Sequence, residues 1–317
     1  MLSRRTTYAR RLPGVTITLK PNPPLDPAET FQKLKPTATH APIPGEARPA
    51  GWNMLDDSLA ENQRWSTWNS VEKLMRGPEP RPEFIIEDAG AIDTELGVLK
   101  TGKEADVLLL ERATDTRRSL FAAKRYRTPE QRSFRRSTIY TQGRTVRRSR
   151  DSRALTNGSA YGRHIEAAQW AAAEWNFLVR AHQAGIPVPY PIQVDGMEIL
   201  MEFISDPDHP GTAAPRLQQL RPTRPVLESY FDQILEAMHG LTSLGYAHGD
   251  LSPYNVLVAG SRLVIIDLPQ LVDLAANPLG ADLLARDCRN ICAWFTGRGL
   301  TRDPEELLAE LLAAAWS

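Results

Sequence analysis

Three polar side chains in the second half of the chain have the types and the spacing that phosphoryl transfer requires. Asp250 and Asn255 lie five positions apart, and Asp267 follows the apolar run from Leu263 to Ile266. A carboxylate at the first position can accept the proton of an attacking hydroxyl, and the amide can hold a metal ion. Magnesium takes a few protein oxygens together with phosphate oxygens. The segment predicts the use of ATP and Mg²⁺, with Asp250 as catalytic base and Asn255 and Asp267 as metal ligands.

A lysine and an acid could complete such a site. Lys124 ends a short apolar run, where it could pair with nucleotide phosphates, and we count it with Asp250 and Asp267 as catalytic. A helical carboxylate is needed to hold this lysine, and Glu166 and Glu174 are the candidates. We favour Glu174, because its small and aromatic neighbours predict a packed interface, where an acid without a cationic partner is costly.

One turn could cover the phosphates. Residues 100–107 read Lys-Thr-Gly-Lys-Glu-Ala-Asp-Val and precede a predicted strand. The glycine permits a tight turn, Lys103 brings positive charge and Thr101 offers a hydroxyl to a phosphate oxygen. Taken alone, the string fits a charged hairpin turn equally well.

The composition excludes several classes of protein. The chain has 317 residues, with 38 basic (Lys and Arg) and 38 acidic side chains, so no overall charge favours nucleic acid or an anionic membrane. No run approaches the roughly 18 apolar residues that span a bilayer. Cys288 and Cys292 cannot form a disulfide framework, and no apolar signal core opens the chain. We therefore expect a cytoplasmic protein with two buried thiols and no membrane partner.

Short apolar runs followed by longer helical patterns predict a small antiparallel sheet and then helices. Residues 1–63 are rich in proline and predict a mostly disordered arm. The predicted strands are 107–111, 120–124, 191–194, 199–203, 255–258 and 263–266. The predicted helices are 65–75, 164–182, 226–244, 280–294 and 304–316.

An arginine-rich insert spans residues 125–163. Its one-sided charge could hold phosphate or RNA, and each phosphate contact would make binding dependent on salt. A mobile, solvated loop explains the same composition equally well. The arginines of the insert's interior are Arg132, Arg135, Arg136, Arg144, Arg147, Arg148, Arg150 and Arg153.

Several segments, in order, resemble the RIO family of atypical protein kinases, nearest its type-one branch. The resemblance covers roughly residues 65–295 and includes the catalytic segment that starts at His248. The other matching segments are Thr-Gly-Lys-Glu-Ala-Asp-Val at 101–107, Phe134-Arg135-Arg136 with Tyr140, Trp170 with Glu174, Ala184 to Pro189, Met201 to Ile204, and Ala214 to Leu217.

The resemblance implies an α+β, two-lobed protein-kinase-like fold. An antiparallel sheet forms the N-lobe, residues 64–204 with the insert, and a mainly helical, truncated C-lobe follows at 205–317. ATP would lie between the lobes, with adenine against the backbone of Glu202 and Ile204 and beside Met201. Lys124 would pair with Glu174. The nucleotide contacts of the phosphate-covering turn would come from Thr101, Lys103, Glu104 and Val107.

The resemblance also implies a function. It predicts a serine/threonine kinase that acts on a protein and on itself, with acceptors such as Ser137, Thr138 and Ser149. Asp267 could also receive phosphate as an acyl-phosphate, which would make the protein an ATPase-like switch. His248 would orient the catalytic loop.

Two features depart from the family pattern. Gly249 stands where the type-one branch commonly has alanine, and Pro253 stands at an often acidic position. The segment Asp267-Leu268-Pro269-Gln270 partly resembles the type-two branch.

Two other functions fit part of the pattern. A small-molecule phosphotransferase of the aminoglycoside or choline type shares the catalytic segment, although neither the phosphate-covering turn nor the insert would serve a small acceptor. A factor associated with RNA or the small ribosomal subunit, switched by nucleotide, would use the insert as its binding surface.

Overall fold

The computed structural model describes residues 59–127, 160–268 and 271–315, and of residues 160–166 it describes the backbone alone. Most of the predicted arm and of the arginine-rich insert lies outside these residues, as do the three predicted acceptors, Pro269 and Gln270. The first residues assigned to the insert, Arg125 and Tyr126, belong to a strand instead.

The N-lobe is built on a six-stranded antiparallel sheet, with strand order β1-β2-β3-β4-β6-β5. Apolar side chains of the central strands, including Leu110, Phe121 and Ala123, are fully buried, so the sheet is held by its apolar faces. The strands are β1 (Gln63–Trp65), β2 (Ile92–Thr101), β3 (Ala105–Ala113), β4 (Arg118–Tyr126), β5 (Pro191–Asp195) and β6 (Glu198–Glu202).

One helix, α1 (Ala160–Gln183), packs across this sheet. Trp170, Ala171 and Trp175 on α1 form an apolar cluster with Tyr126 and Ile199 on the sheet. This packing fixes the helix against β4 and β6 and thereby directs the intervening residue 174 toward the sheet.

The largest core lies mainly in the C-lobe, where α2, α3 and α4 pack together, and it also includes Phe177, Leu178 and Ala181 at the end of α1. The apolar face predicted for α2 is buried, as Leu227, Phe231, Ile234, Met238 and Leu241 show. The elements are α2 (Arg224–Ser243), β7 (Tyr246–Ala247), β8 (Val256–Ala259), β9 (Arg262–Ile265), β10 (Val272–Asp273), α3 (Gly280–Thr296) and α4 (Pro304–Ala315).

The two cysteines lie inside this core. Cys288 and Cys292 are free, buried thiols on α3, as predicted. Burial raises the pKa of Cys288 to about 12 and that of Cys292 to about 11. Both groups therefore stay protonated and serve as small apolar side chains.

The two-lobed α+β fold is confirmed, with errors in detail. The helix predicted at 65–75 is wrong, because Trp65 ends β1 and only Lys73–Met75 forms a short 3₁₀ turn. The sequence analysis missed strand β2 and the short strands β1, β7 and β10. In the part of the chain that the structure describes, no helix is both long and apolar enough to cross a membrane.

Candidate active site

The predicted lysine and acid meet between β4 and α1. Lys124 Nζ lies 2.7 Å from Glu174 Oε1, and both side chains are almost fully buried. The Tyr126 hydroxyl donates a hydrogen bond to the other oxygen of Glu174. Burial lowers the pKa of Lys124, but the Glu174 and Asp267 carboxylates outweigh it and raise the pKa, so the lysine stays charged in the cleft. The side chain of the competing Glu166 is outside the described residues.

Asp267 joins this pair from the C-lobe. It follows β9 in a left-handed backbone conformation, with φ of 67°, and its Oδ1 lies 3.1 Å from Lys124 Nζ. Lys100 Nζ lies 2.9 Å from the other oxygen, Oδ2. Burial raises the pKa of Asp267, but the Lys124 and Lys100 ammonium groups outweigh it and hold the pKa well below its usual range. The carboxylate is ionised whenever the protein is folded near neutral pH.

The loop from His248 to Asn255, which the sequence predicts to be catalytic, is held by its own histidine and amide. His248 is buried and its Nε2 lies 3.2 Å from the Ile266 carbonyl oxygen, while the Asp250 N–H donates to its Nδ1 at 3.4 Å. Burial lowers the pKa of His248, which favours the neutral ring these two bonds require. Asn255 Nδ2 donates to the Asp250 carbonyl at 3.0 Å. Asp250 itself is largely exposed, with 58 % of its side chain accessible, so an acceptor can reach it.

The sequence analysis did not identify the acid on α3 that anchors this loop. Asp287 on α3 is fully buried and accepts hydrogen bonds from the N–H groups of Gly249 and Leu251, both at 2.7 Å. Asn290, one turn further along α3, donates to the Leu251 carbonyl at 3.1 Å. A charged residue on the apolar face of an amphipathic helix was the available signal, since Asp287 lies three residues after the buried Leu284.

Arg286, the residue before this acid, contacts the loop from the outside. It donates to the Gly249 carbonyl and lies 3.7 Å from Asp250 Oδ1. Gly249 has a φ of 79°, a conformation that favours glycine. Glycine adopts this conformation without the strain that a Cβ would cause.

The phosphate-covering turn connects β2 to β3 and faces the cleft. Lys100 is paired with Val107 and Val107 with Lys124, so these three side chains lie in one row on one face of the sheet. The backbone N–H of Gly102 closes the turn on the Ala105 carbonyl at 2.9 Å. Thr101 and Lys103 are exposed and Glu104 is half-buried.

The segment predicted to bind adenine joins the two lobes. The Glu202 N–H donates to the Tyr190 carbonyl at 2.9 Å, and the Ala214 N–H donates to the Ile204 carbonyl at 2.9 Å. Ile204 is buried beside Ala214 and Val264. Met201 is half-buried and packs against the cores of both lobes, at the rim of the cleft.

The oxygen donors at this cleft fit a magnesium ion that arrives with phosphate. The Asp267 carboxylate already binds two positive groups, the ammonium groups of Lys100 and Lys124, so it can also bind a cation. Asn255 is buried and its amide nitrogen is engaged, which directs its oxygen away from the Asp250 carbonyl. Among residues 59–127, 160–268 and 271–315, no cluster of three or more His, Cys, Asp or Glu side chains could hold a metal alone. Such a sparse donor set suits magnesium, which keeps phosphate and water oxygens.

The two lobes and this arrangement of charges define a phosphotransferase of the protein-kinase class. A family model, the RIO domain, matches residues 112–307. The chain belongs to the RIO family and is a kinase of the RIO type. This membership favours the kinase prediction over that of a small-molecule phosphotransferase.

Two relatives illustrate the similarity. The RIO-type serine/threonine-protein kinase Rio1 of Haloferax volcanii is 33% identical over 223 residues, which are 70% of each protein. The serine/threonine-protein kinase RIO1 of Saccharomyces cerevisiae is 30% identical over 246 residues, 70% of this chain but only 48% of the yeast protein. These names agree with the type-one branch.

Solved structures of similar fold include the Rio2 kinase from Chaetomium thermophilum, crystallised as an ADP/Mg²⁺-phosphoaspartate complex. Its sequence is 21% identical to this chain. The superposition covers 68% of this chain and 60% of the Rio2 chain, with a TM-score of 0.49.

Proposed function

We propose that the chain transfers the γ-phosphoryl group of ATP to serine or threonine hydroxyls of a protein substrate and of itself. One observation carries the proposal: Lys124 on the N-lobe joins Glu174 and Asp267 within 3.1 Å, beside a rigidly anchored loop that presents Asp250. Positioning and charge neutralisation are what phosphoryl transfer demands of a protein.

Each residue has a defined task in this proposal. Lys124, fixed by Glu174, neutralises phosphate charge, with Thr101, Lys103, Glu104 and Val107 of the covering turn on the other side of the nucleotide. Adenine binds the Glu202 carbonyl and the Ile204 N–H. The Glu202 N–H and the Ile204 carbonyl are already hydrogen-bonded to Tyr190 and Ala214. Met201 borders the adenine.

Asp250 accepts the proton of the attacking hydroxyl. It is exposed at the end of a loop whose backbone is held by Asp287, Asn255 and His248, so its position is fixed while its carboxylate faces the acceptor. Asn255 and Asp267 would hold Mg²⁺, which neutralises charge on the phosphate oxygens when bound.

Asp267 is also the residue we propose as an acyl-phosphate acceptor in an ATPase-like switch. Its carboxylate is ionised, as a nucleophile must be, and its lysine contacts would balance an incoming phosphate.

The test uses terminally labelled ATP and magnesium with wild type, Asp250→Ala and Asp267→Ala. We expect wild type to carry acid-stable label on serine or threonine, and both variants to lose most of it. Label that hydroxylamine releases, present in wild type and absent in Asp267→Ala, would indicate the acyl-phosphate. Full acid-stable labelling of Asp250→Ala would refute Asp250 as the base.

The arginine-rich insert remains the proposed contact to RNA or the small ribosomal subunit, although residues 128–159 lie outside the described part of the chain. Co-sedimentation with small subunits at several salt concentrations, with and without ATP, tests this partner. Indifference to both salt and nucleotide would refute it. Two free, buried thiols agree with the proposed reducing, cytoplasmic compartment.

A further inference from the structure

A second lysine reaches the carboxylate that Lys124 holds. Lys100 lies on β2, and its cross-strand neighbour Val107 is in turn the neighbour of Lys124. Side chains directly opposite each other on adjacent strands share one face of a sheet. Lys100 and Lys124 therefore approach the cleft from the same face, two strands apart, and converge on Asp267 of the other lobe.

The two lysines bind different oxygens of the Asp267 carboxylate. Lys124 Nζ lies 3.1 Å from Oδ1 and Lys100 Nζ lies 2.9 Å from Oδ2. Lys124 is buried and is also bound to Glu174. The Lys100 side chain is 39 % accessible and the Asp267 side chain is 31 % accessible, so their contact is on the solvent side of the site. Lys124 is fixed in place, whereas Lys100 has room to move.

Lys100 thus occupies the outer oxygen of a proposed magnesium ligand. An ammonium group on a flexible four-carbon stem is a mobile point charge, and a carboxylate oxygen that accepts from it is less available to a metal. When Mg²⁺ and nucleotide arrive together, the metal brings two positive charges for the one that it displaces. The released lysine remains on the turn that covers the phosphates.

We infer that Lys100 is a positioning residue that holds Asp267 when magnesium is absent and yields this carboxylate to the metal when the nucleotide complex binds. The inference rests on the proposed function, since it requires Asp267 to be a magnesium ligand. In this role Lys100 replaces part of the metal's charge, and nucleotide binding depends less on magnesium than it otherwise would.

The consequence is a measurable ratio: the Kd for ADP in EDTA divided by the Kd for ADP in saturating Mg²⁺. Without Lys100, only Lys124 balances the negative charge of Asp267, so this carboxylate repels the phosphates of metal-free ADP more strongly. Mg²⁺, in turn, binds Asp267 without competition from a lysine. Both changes increase the ratio. We expect Lys100→Met to raise it about fivefold, the effect of one partly exposed ion pair.

The experiment measures both values of Kd by titration calorimetry for wild type, Lys100→Met, Lys100→Arg, Lys103→Met and Asp267→Asn. Lys100→Arg keeps the charge and should restore the wild-type ratio. Lys103→Met removes the same charge from the same turn, away from Asp267, and should raise both values of Kd by a similar factor. Thermal melting of each nucleotide-free variant checks that it is folded.

The outcomes separate this inference from the proposed function. An unchanged ratio in Lys100→Met, or equal rises in both values of Kd, would overturn the role of Lys100 alone, provided that Asp267→Asn lowers the ratio. If wild type bound no ADP, or if Asp267→Asn left the ratio unchanged, the proposed magnesium site itself would be wrong.

Discussion

At the scale of single residues, the cleft is organised around one buried ammonium group. Taking the charge of Lys124 out of water is costly, and the cost is offset because Glu174 and Asp267 both bind it. Tyr126 in turn donates to Glu174. Burial and the neighbouring Glu174 charge raise the pKa of Tyr126 well above its usual value, so this hydroxyl remains a donor. Each charge in the cleft is thus positioned by another.

Replacing Glu174 with Gln tests this arrangement. The buried lysine would keep only the partly accessible Asp267 as an anionic partner, so the free energy of unfolding should fall by about 2 kcal/mol, less than for a buried charge left alone. Labelling from ATP should fall at least about tenfold, since Lys124 would lose its fixed position. Urea denaturation and the labelling assay measure the two effects. Glu166→Gln is the matched control, and a loss of activity equal to that of Glu174→Gln would contradict the assignment.

Asp287 makes stability depend on pH. Burial raises its pKa from 3.8 to about 7, although the N–H groups of Gly249 and Leu251 oppose the shift. Between pH 3.8 and about pH 7, Asp287 is protonated in the folded protein and ionised in the unfolded chain. The contribution of Asp287 to stability is therefore complete below about pH 4 and is lost as the pH rises through 7, by at most about 1.4 kcal/mol per pH unit.

Comparison of wild type with Asp287→Asn isolates this effect. Urea denaturation from pH 5 to 8 should show the unfolding free energy of wild type falling relative to that of the variant up to about pH 7, and a constant difference above it. His248, whose pKa burial lowers, gives a slope of opposite sign in both proteins and cancels in the difference. A difference independent of pH would show that Asp287 is ionised throughout.

At the scale of elements, the turn between β2 and β3 depends on one glycine. A Cβ on Gly102 would lie 2.8 Å from the backbone oxygen of Ala105, the atom that closes the turn. Gly102→Ala should therefore open the turn, with a cost of about 1 kcal/mol in stability and a higher Kd for nucleotide. At Gly297 a Cβ would meet only ordinary contacts, the nearest at 3.4 Å, so Gly297→Ala is the control. Equal nucleotide affinity in both variants, measured by calorimetry, would exclude a role for the turn.

Elements whose own apolar period is regular could be predicted from the sequence, and β2 could not. Two irregularities, between Glu95 and Gly97 and between Val98 and Lys100, break its two-residue period. Its buried Asp93 is compensated by Arg112 of the next strand, with Nε at 2.6 Å, and Lys100 by a residue of the other lobe. Tertiary structure brings these partners together, so local sequence patterns cannot predict them.

The same limit applies to the site. Asp250, Asn255, Asp267 and Lys124 could be named as candidates from the sequence because their spacing is local or because a strand end carries them. Asp287 and Lys100 act across long separations in sequence, on a loop backbone and on a carboxylate that only folding brings near. Their residue types alone are those of ordinary surface residues.

At the scale of the whole molecule, the largest apolar core crosses the boundary between the lobes, because Phe177, Leu178 and Ala181 of α1 belong to it. This core centres on α2 and α3, and other clusters lie on the N-lobe sheet. Polar contacts join the lobes across the cleft, where Lys100 and Lys124 meet Asp267. A ligand bound between the lobes should therefore stabilise both together.

Thermal melting tests this coupling and separates binding from chemistry. ADP with Mg²⁺ at about a hundred times its Kd should add about 2.7 kcal/mol of stability, which raises Tm by about 4 to 6 °C in a protein of this size. Asp250→Ala should keep this rise while it loses labelling, because Asp250 as the proposed base would touch the acceptor and not the nucleotide. Lys124→Met should lose most of the rise, since it removes the charge that we propose joins phosphate to both lobes. A full rise in Lys124→Met would mean that nucleotide binds elsewhere, and no rise in wild type would mean that it does not bind the folded protein.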